Sequence, residues 1–218
     1  MRIVPAALFT YSQNDPVKLK ELVSKITSLT HTHPQAILGA ILQSYAVDMA
    51  LNSSSTFSPE EMIESLIILM SSFEQDKQSG DSATQESECD KKCSTYREKL
   101  ELIKQYLKDE NEPSRLTIHK DLGADIAAFD SVPAAIYSFL RCSKDTNTEY
   151  EASNPFMRTV MYAISLGGDS DTVATMAGAI AGACYGLESI PKSWQKCCEG
   201  VEDAKDLAEK LLNLQNKS

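Results

Sequence analysis

The stretch with the most chemical content is 165–172, Ser-Leu-Gly-Gly-Asp-Ser-Asp-Thr, called here the metal motif. Its paired glycines allow a tight turn and a close backbone approach to a ligand. Two carboxylates and a hydroxyl follow within one turn, where we expect a helix to begin near Asp171 and to add the positive potential of its free N–H groups. Crowded oxygen donors suit Mg²⁺, Ca²⁺ or Mn²⁺ rather than zinc. The candidate metal ligands are Asp169, Asp171 and Thr172.

An ordinary structural explanation stays open for the same residues. Asp171 or Ser170 would serve only as the cap of the helix, and Asp169 would be a solvated turn residue. The spacing alone does not decide between a helix cap and a metal site.

Several segments of the chain resemble one protein family. Residues 165–186 are similar to the C-terminal metal motif of the ADP-ribosylglycohydrolase family. Residues 122–142 resemble the branch of that family that removes ADP-ribose from serine and trims poly(ADP-ribose), and Pro191–Trp194, Cys198–Gly200 and Leu29–His31 agree with that branch. The resemblance runs along nearly the whole chain. It implies an all-α fold, an orthogonal helical bundle, with an ADP-ribose cleft and a cluster of two Mg²⁺ ions.

The resemblance also implies which residues contact the substrate. These are Gly168, His31 and Ile126, beside the three metal ligands named above, with Ile126 touching the adenosine part of ADP-ribose. The expected partners are ADP-ribose, poly(ADP-ribose) or an ADP-ribosylated protein. Phe129 is a further stacking candidate on its chemistry, although a buried phenylalanine is commoner.

This sequence departs from the family pattern in one respect. Family members are longer ahead of the matching region, and that portion carries a glutamate in the acid/base role, a Thr-Asp-Asp run with further metal ligands and most of a glycine-rich phosphate loop. The present sequence opens at Met1-Arg2-Ile3-Val4, which resembles a point just after that loop, and it has no Thr-Asp-Asp triplet. We therefore expect the C-terminal part of such an enzyme, with no catalytic residue of its own, weak metal binding and little or no activity.

Composition narrows the class of protein. With 218 residues, of which 42% are hydrophobic, the chain is long enough for one buried core, and we expect a single domain over 1–218. The net charge of −10 argues against direct nucleic-acid binding through a basic surface and against docking on anionic lipid. No apolar run reaches the ~20 residues of a membrane span. The family resemblance, rather than composition, implies an intracellular monomer of the nucleus and cytoplasm, with the mitochondrial matrix as an alternative.

Apolar residues recur with a helical period along most of the chain. The nearly continuous apolar segment 35–51 predicts a central helix, and residues 203–214 predict a last amphipathic one. The polar segment 74–93 predicts a flexible surface loop. Small residues at every fourth position from Ala174 to Gly186 predict close contact with a neighbouring helix. The predicted helix starts are Asp15-Pro16, Ser58-Pro59, Ser114, Ser131-Val132-Pro133 and Asn154-Pro155.

Neither the histidines nor the cysteines predict a zinc site. His31 and His33 have no third ligand nearby, so helix capping or hydrogen bonding is their expected role when the resemblance is set aside. His119 lies far along the chain in a polar helix. Cysteines in apolar helical patterns should be buried and those after Trp194 should face outward; Cys142 and Cys184 form the first group, Cys197 and Cys198 the second.

Two other functions stay open at this point. A helical module without catalytic activity could still bind ADP-ribose or a protein partner. Alternatively, a chain that lacks part of its core would expose apolar surface and would aggregate or recruit chaperones.

Overall fold

The computed structural model describes residues 2–13, 15–53, 57–75, 95–109, 111–144 and 154–215. Those ranges form helices joined by turns and contain no strand, so the all-α prediction is confirmed. None of the helices described has the length and apolar character that crossing a membrane requires. The α-helices are α1 (Val4–Thr10), α2 (Pro16–Ser28), α3 (Pro34–Asn52), α4 (Pro59–Gln75), α5 (Tyr96–Lys108), α6 (Arg115–Leu122), α7 (Ala128–Ser143), α8 (Pro155–Ser165), α9 (Ser170–Tyr185), α10 (Lys192–Cys197) and α11 (Val201–Gln215), with 3₁₀ helices at Tyr11–Gln13 and Leu187–Ser189.

Most helix starts follow the cap signals in the sequence. The Asp15 carboxylate accepts hydrogen bonds from two backbone N–H groups of α2, and the side chain of Asn154 accepts from the amide of Met157 at 2.8 Å. Ser58 and Ser114 accept equivalent bonds at the starts of α4 and α6. Each of these bonds satisfies a backbone donor that the first helical turn leaves unpaired, which is why the sequence predicted these positions well.

Helix α3 is the predicted central helix, and it runs in the same direction as α9. Residues 41–47 of α3 are all buried, on every face of the helix. The side-chain amide of Gln43 donates to the carbonyl of Met176 in α9 at 3.0 Å. Further along both helices, Ser53 Oγ lies 3.7 Å from Cys184 Sγ. The two helices therefore begin at the same end of the bundle.

Helix α7 shares this direction. Ala124, just ahead of α7, is hydrogen-bonded to Asp169, just ahead of α9, and the rings of Phe139 and Tyr185 pack further along with centroids 6.0 Å apart. Helix α7 is buried from Phe129 to Leu140, so it forms the core together with α3 and α9. All three helices begin at one end, and the segments that precede them contain the predicted substrate contacts.

The small residues of α9 allow α8 to pack closely against it. A Cβ at Gly178 would lie 3.4 Å from Val160 Cγ2, and a Cβ at Gly182 would lie 3.8 Å from Phe156. Both distances are ordinary van der Waals contacts, so the side chains of α8 rest directly on the backbone of α9. The predicted close helix contact is confirmed, and it aligns the end of α8 with the start of α9.

Three local predictions need correction. Helix α7 begins at Ala128 rather than at Ser131-Val132-Pro133, so Pro133 lies inside the helix. Helix α4 extends to Gln75, so the first two residues of the predicted loop 74–93 are helical, and its remainder lies outside the described residues. Cys184 is half-buried rather than buried, because it lies near the end of α9. The predictions for the other three cysteines are confirmed, with Cys142 buried and Cys197 and Cys198 exposed.

We expect Gly39→Ala to destabilise the fold by about 1–3 kcal/mol, because the added Cβ would overlap the Tyr96 hydroxyl. Tyr96 is fully buried and donates to the carbonyl of Gln35 at 3.0 Å, so a shift of its ring would break this bond. Gly182→Ala is the matched control, since a Cβ there has room and alanine favours a helix. Urea unfolding measures both variants. Equal stability of the two would contradict this account of Gly39.

Candidate functional site

A bend between α8 and α9 presents the metal motif at the end of the bundle where α3, α7 and α9 begin. Its glycines have left-handed backbone angles, with φ of 72° at Gly167 and 64° at Gly168. That conformation is costly for residues with a Cβ. Gly168 has a second restriction, because a Cβ there would overlap the carbonyl oxygen of Ala124. Gly168 is therefore the point at which two backbone segments come into direct contact.

The second of these segments is the 123–127 loop, which joins α6 to α7. The amide of Asp169 donates to the carbonyl of Ala124 at 2.7 Å, so the loop is tied to the start of α9. Ala124 is fully buried, whereas the side chain of Ile126, two residues later, is 85% exposed. The structure thus places an exposed apolar side chain in a loop that is bonded to the metal motif. Phe129 is buried, with its ring centroid 5.0 Å from that of Tyr96, so the alternative of a packed phenylalanine is confirmed.

The carboxyl groups of Asp169 and Asp171 are drawn together at the start of α9. The N-cap of α9 is Asp169, so the predicted cap at Ser170 or Asp171 is wrong. The side chain of Asp169 accepts no capping hydrogen bond. The hydrogen bond between the two carboxyl groups, helped by the backbone of Thr172, lowers the pKa of Asp171 from its usual value. Neighbouring carboxylates repel each other, so a cation between them would be stabilising.

This set of donors fits a hard divalent cation. The two carboxylates and the hydroxyl of half-buried Thr172 are oxygen ligands of the kind that Mg²⁺ prefers. Within the described ranges, no group of three or more His, Cys, Asp or Glu side chains is placed to hold a metal. A cation at the metal motif would therefore take two carboxylates and one hydroxyl from these residues and complete its shell with water. The roles of Asp169, Asp171 and Thr172 as ligands stay a prediction.

His31 lies in the segment ahead of α3, at the same end of the bundle. Its side chain is exposed, and its Nδ1 lies 2.8 Å from the hydroxyl of Thr30. The contacts described for His31 do not join it to the metal motif, so its contact with a shared ligand also stays a prediction. His33 caps α3 by accepting from the amide of Gln35 at 3.3 Å, as expected for a histidine at a helix start.

The structure adds His119 to this region, although the sequence analysis placed it in a polar helix far along the chain. Its ring lies against Gly168, where a Cβ would be 2.9 Å from Cε1. Because a carbonyl only accepts, Nδ1 donates to Leu166 at 3.1 Å, and Nε2 faces Asp125 at 4.0 Å. His119 thus joins α6 to both the bend and the 123–127 loop. Its 47-residue separation from Leu166 explains why no local pattern indicated the contact.

Comparison with known proteins gives one consistent result. A family model described as ADP-ribosylglycohydrolase matches residues 1–218. The chain is 41% identical over 218 residues to "ADP-ribosylhydrolase ARH3" of Bos taurus, covering 100% of this chain and 57% of that protein. Identity to the protein of the same name from Homo sapiens is also 41%, covering 100% of this chain and 58% of that protein. The chain therefore spans a little over half the length of the curated relatives it matches.

Substitution of the two bend glycines separates backbone angle from close approach. Gly167→Ala and Gly168→Ala both force a left-handed alanine, but nothing lies within 4 Å of a Cβ at Gly167. Gly168→Ala must also push Ala124 away from Asp169, so we expect it to cost about 1–3 kcal/mol more in urea unfolding. It should also weaken Mn²⁺ binding, measured by electron paramagnetic resonance, more than Gly167→Ala does. Similar losses from the two variants would rule out the role of the close approach.

Proposed function

This chain belongs to the ADP-ribosylglycohydrolase family, and we propose that it carries part of a site for hydrolysis of the O-glycosidic bond of ADP-ribose. The departing oxygen belongs to a serine side chain or to the next ribose of poly(ADP-ribose). The bond breaks at the anomeric carbon through a transition state with oxocarbenium character. The relatives named as ADP-ribosylhydrolases support the substrate class. The linkage to serine, the action on intracellular ADP-ribosylated proteins and the monomeric state are part of the proposal.

The observation that carries this proposal is the meeting of paired carboxyl groups with an exposed apolar loop. Asp169 at the N-cap and Asp171 in the first turn of α9 lie at the metal motif, and the backbone bond from Asp169 to Ala124 ties this motif to the loop that exposes Ile126. ADP-ribose needs both chemistries, because its adenosine offers an apolar face while its distal ribose offers hydroxyl groups to a cation. Ile126 is suited to the first part and the metal motif to the second.

The direction of the central helices supports binding of the diphosphate between these two parts. Helices α3, α7 and α9 all begin at this end, so their positive dipole ends face the same region. Pro34 has no N–H and the next amides of α3 bond to His33, so backbone donors would come from α7 and α9. Such helix ends bind phosphate groups through backbone N–H donors. The chain carries a net charge of −10, so a diphosphate needs local positive potential of this kind.

Mg²⁺ held by Asp169, Asp171 and Thr172 would supply Lewis acidity toward the ribose hydroxyls and would lower the pKa of a coordinated water. The residues themselves hold the geometry. The bend keeps the two carboxyl groups at the start of α9, and Gly168 lets the bend contact the 123–127 loop. Ile126, His31 and the backbone of Gly168 provide the proposed substrate contacts.

Binding of ADP-ribose tests this proposal directly. In calorimetry with Mg²⁺ present, we expect Asp169→Asn/Asp171→Asn to weaken binding by about tenfold or more, since neutral amides hold a hard cation poorly. Removal of Mg²⁺ from the unchanged chain should have a similar effect. The matched control is Glu202→Gln/Asp203→Asn, which neutralises two acidic residues in the first turn of α11. Unaltered affinity in the Asp169/Asp171 variant would contradict the proposed site.

Turnover should be much weaker than binding. The resemblance assigns the acid/base role to a glutamate for which this sequence has no matching residue, and such catalysis contributes about 10²–10⁴-fold. At equal concentration with human ADP-ribosylhydrolase ARH3, we expect this chain to release ADP-ribose from a serine-linked peptide at least about a hundredfold more slowly. Comparable release would show that the chain supplies its own acid/base group. Binding without turnover would favour the alternative function, a non-catalytic ADP-ribose-binding module.

A further inference from the structure

Lys99 is a charged residue in the core, and its ammonium lies at the base of the 123–127 loop. The residue is only 2% exposed. Its Nζ donates to the carbonyl of Leu122 at 2.7 Å, to the carbonyl of Phe129 at 2.8 Å and to Asp130 Oδ1 at 3.0 Å. The ammonium also lies 3.9 Å from the centroid of the Phe129 ring. Three oxygen acceptors match the three protons of the ammonium, which offsets much of the cost of removing the charge from water.

The acceptors of Lys99 are backbone groups that the two flanking helices leave without their usual partners. Leu122 is the last residue of α6, where carbonyls have no donor within the helix. Phe129 precedes Pro133 by four residues inside α7, and proline has no N–H to give to that carbonyl. The Lys99 ammonium supplies the missing donor at both positions. It therefore explains how α7 contains a proline, and it joins the end of α6 to the start of α7.

Because Leu122 and Phe129 flank the 123–127 loop, one ammonium fixes the distance between the two ends of this loop. Gly123, the first loop residue, packs so closely on Asp130 that a Cβ there would overlap it. The Asp130 carboxylate in turn is paired with Lys99. The start of the loop, the start of α7 and the lysine are thus in mutual contact below the exposed Ile126.

The same turn of α5 also holds the start of α3. Tyr96, three residues before Lys99, donates its hydroxyl hydrogen to the carbonyl of Gln35 at 3.0 Å and packs its ring on Phe129. The first turn of α3, which follows the segment that contains His31, and the loop that contains Ile126 are therefore both attached to one turn of α5.

We propose that Lys99 is a positioning residue, which sets the 123–127 loop so that Ala124 meets Asp169 and Ile126 faces the ligand. The part of this inference that concerns ligand affinity rests on the proposed function. The part that concerns the loop does not, because the contacts of Lys99 are formed by the chain itself.

The test compares two double variants that each remove an ion pair from α5. Lys99→Met/Asp130→Asn removes both buried charges together, so that neither is left unpaired in the core. Lys104→Met/Glu64→Gln is the matched control. Lys104 lies on α5 like Lys99, but it pairs with Glu64 of α4 at 3.0 Å in a more exposed position. A third variant adds Pro133→Ala to the first, which restores a backbone donor for Phe129 without reconnecting the loop to Leu122.

Amide hydrogen exchange of the chain without ligand is the first measurement. In Lys99→Met/Asp130→Asn we expect the Asp169 amide and the 123–127 loop to exchange about tenfold faster, whereas the Lys104/Glu64 variant should match the unchanged chain. Affinity for ADP-ribose with Mg²⁺ should fall by a similar factor, about tenfold. Adding Pro133→Ala should recover resistance to urea but neither the exchange protection nor the affinity. Recovery of stability without recovery of loop protection would show that Lys99 positions the loop and does not act only by stabilising the fold.

Two results would overturn the proposal. One is a folded Lys99/Asp130 variant whose loop and Asp169 amide exchange as in the unchanged chain. The other is recovery of loop protection by Pro133→Ala, which would show that Lys99 serves only as a hydrogen-bond donor within α7. Should the double variant fail to fold, the triple variant is measured in its place, with the same criterion at Asp169. If the unchanged chain does not bind ADP-ribose, the proposed function fails, and the exchange data still decide the role of Lys99.

Discussion

The backbone hydrogen bond from Asp169 to Ala124 is the constraint on which the rest of the candidate site depends. It joins the start of α9 to the loop ahead of α7 at 2.7 Å, where Gly168 lets the two segments touch. Both segments precede buried helices, so neither can shift without moving a core element. The bond therefore fixes the metal motif relative to Ile126 through the backbone of the two segments. A single added methyl group at Gly168 would be enough to separate them.

Charged groups inside the bundle hold this arrangement because their donors and acceptors are matched. Lys99 satisfies two helix carbonyls and one carboxylate in the core. Glu112, which is partly buried just ahead of α6, follows the same rule. Burial acts to raise its pKa, but the neighbouring Tyr162 hydroxyl and the guanidinium groups of Arg115 and Arg141 lower the pKa overall. Helix α6 is thus held near both ends, at Glu112 on one side and at the Lys99 ammonium on the other.

The common direction of α3, α7 and α9 has an electrostatic consequence. Each helix contributes a partial positive charge at the end where it begins. Three such ends lie together, on a chain whose formal net charge is −10. Paired carboxyl groups at the same place would oppose an anionic ligand, unless a cation lies between the carboxylates and the ligand. The family to which the chain belongs, the oxygen donors of the metal motif and the helix directions therefore all favour a cation and an anionic ligand at this end.

The sequence by itself determined the helix content, most helix starts and the metal motif, because each of these depends on residues within a turn or two of one another. The paired glycines and the three oxygen donors are neighbours in the chain, so the sequence places them together at one bend, and their role as metal ligands stays a prediction. Only the tertiary structure decided that α7 begins at Ala128 with Pro133 inside it, and that Lys99 and His119 lie at the candidate site. These features depend on contacts between segments far apart in sequence, which helix packing creates and local patterns do not encode. The interior proline shows the reason, since the helix accommodates it where a donor from another helix supplies the hydrogen bond that proline lacks.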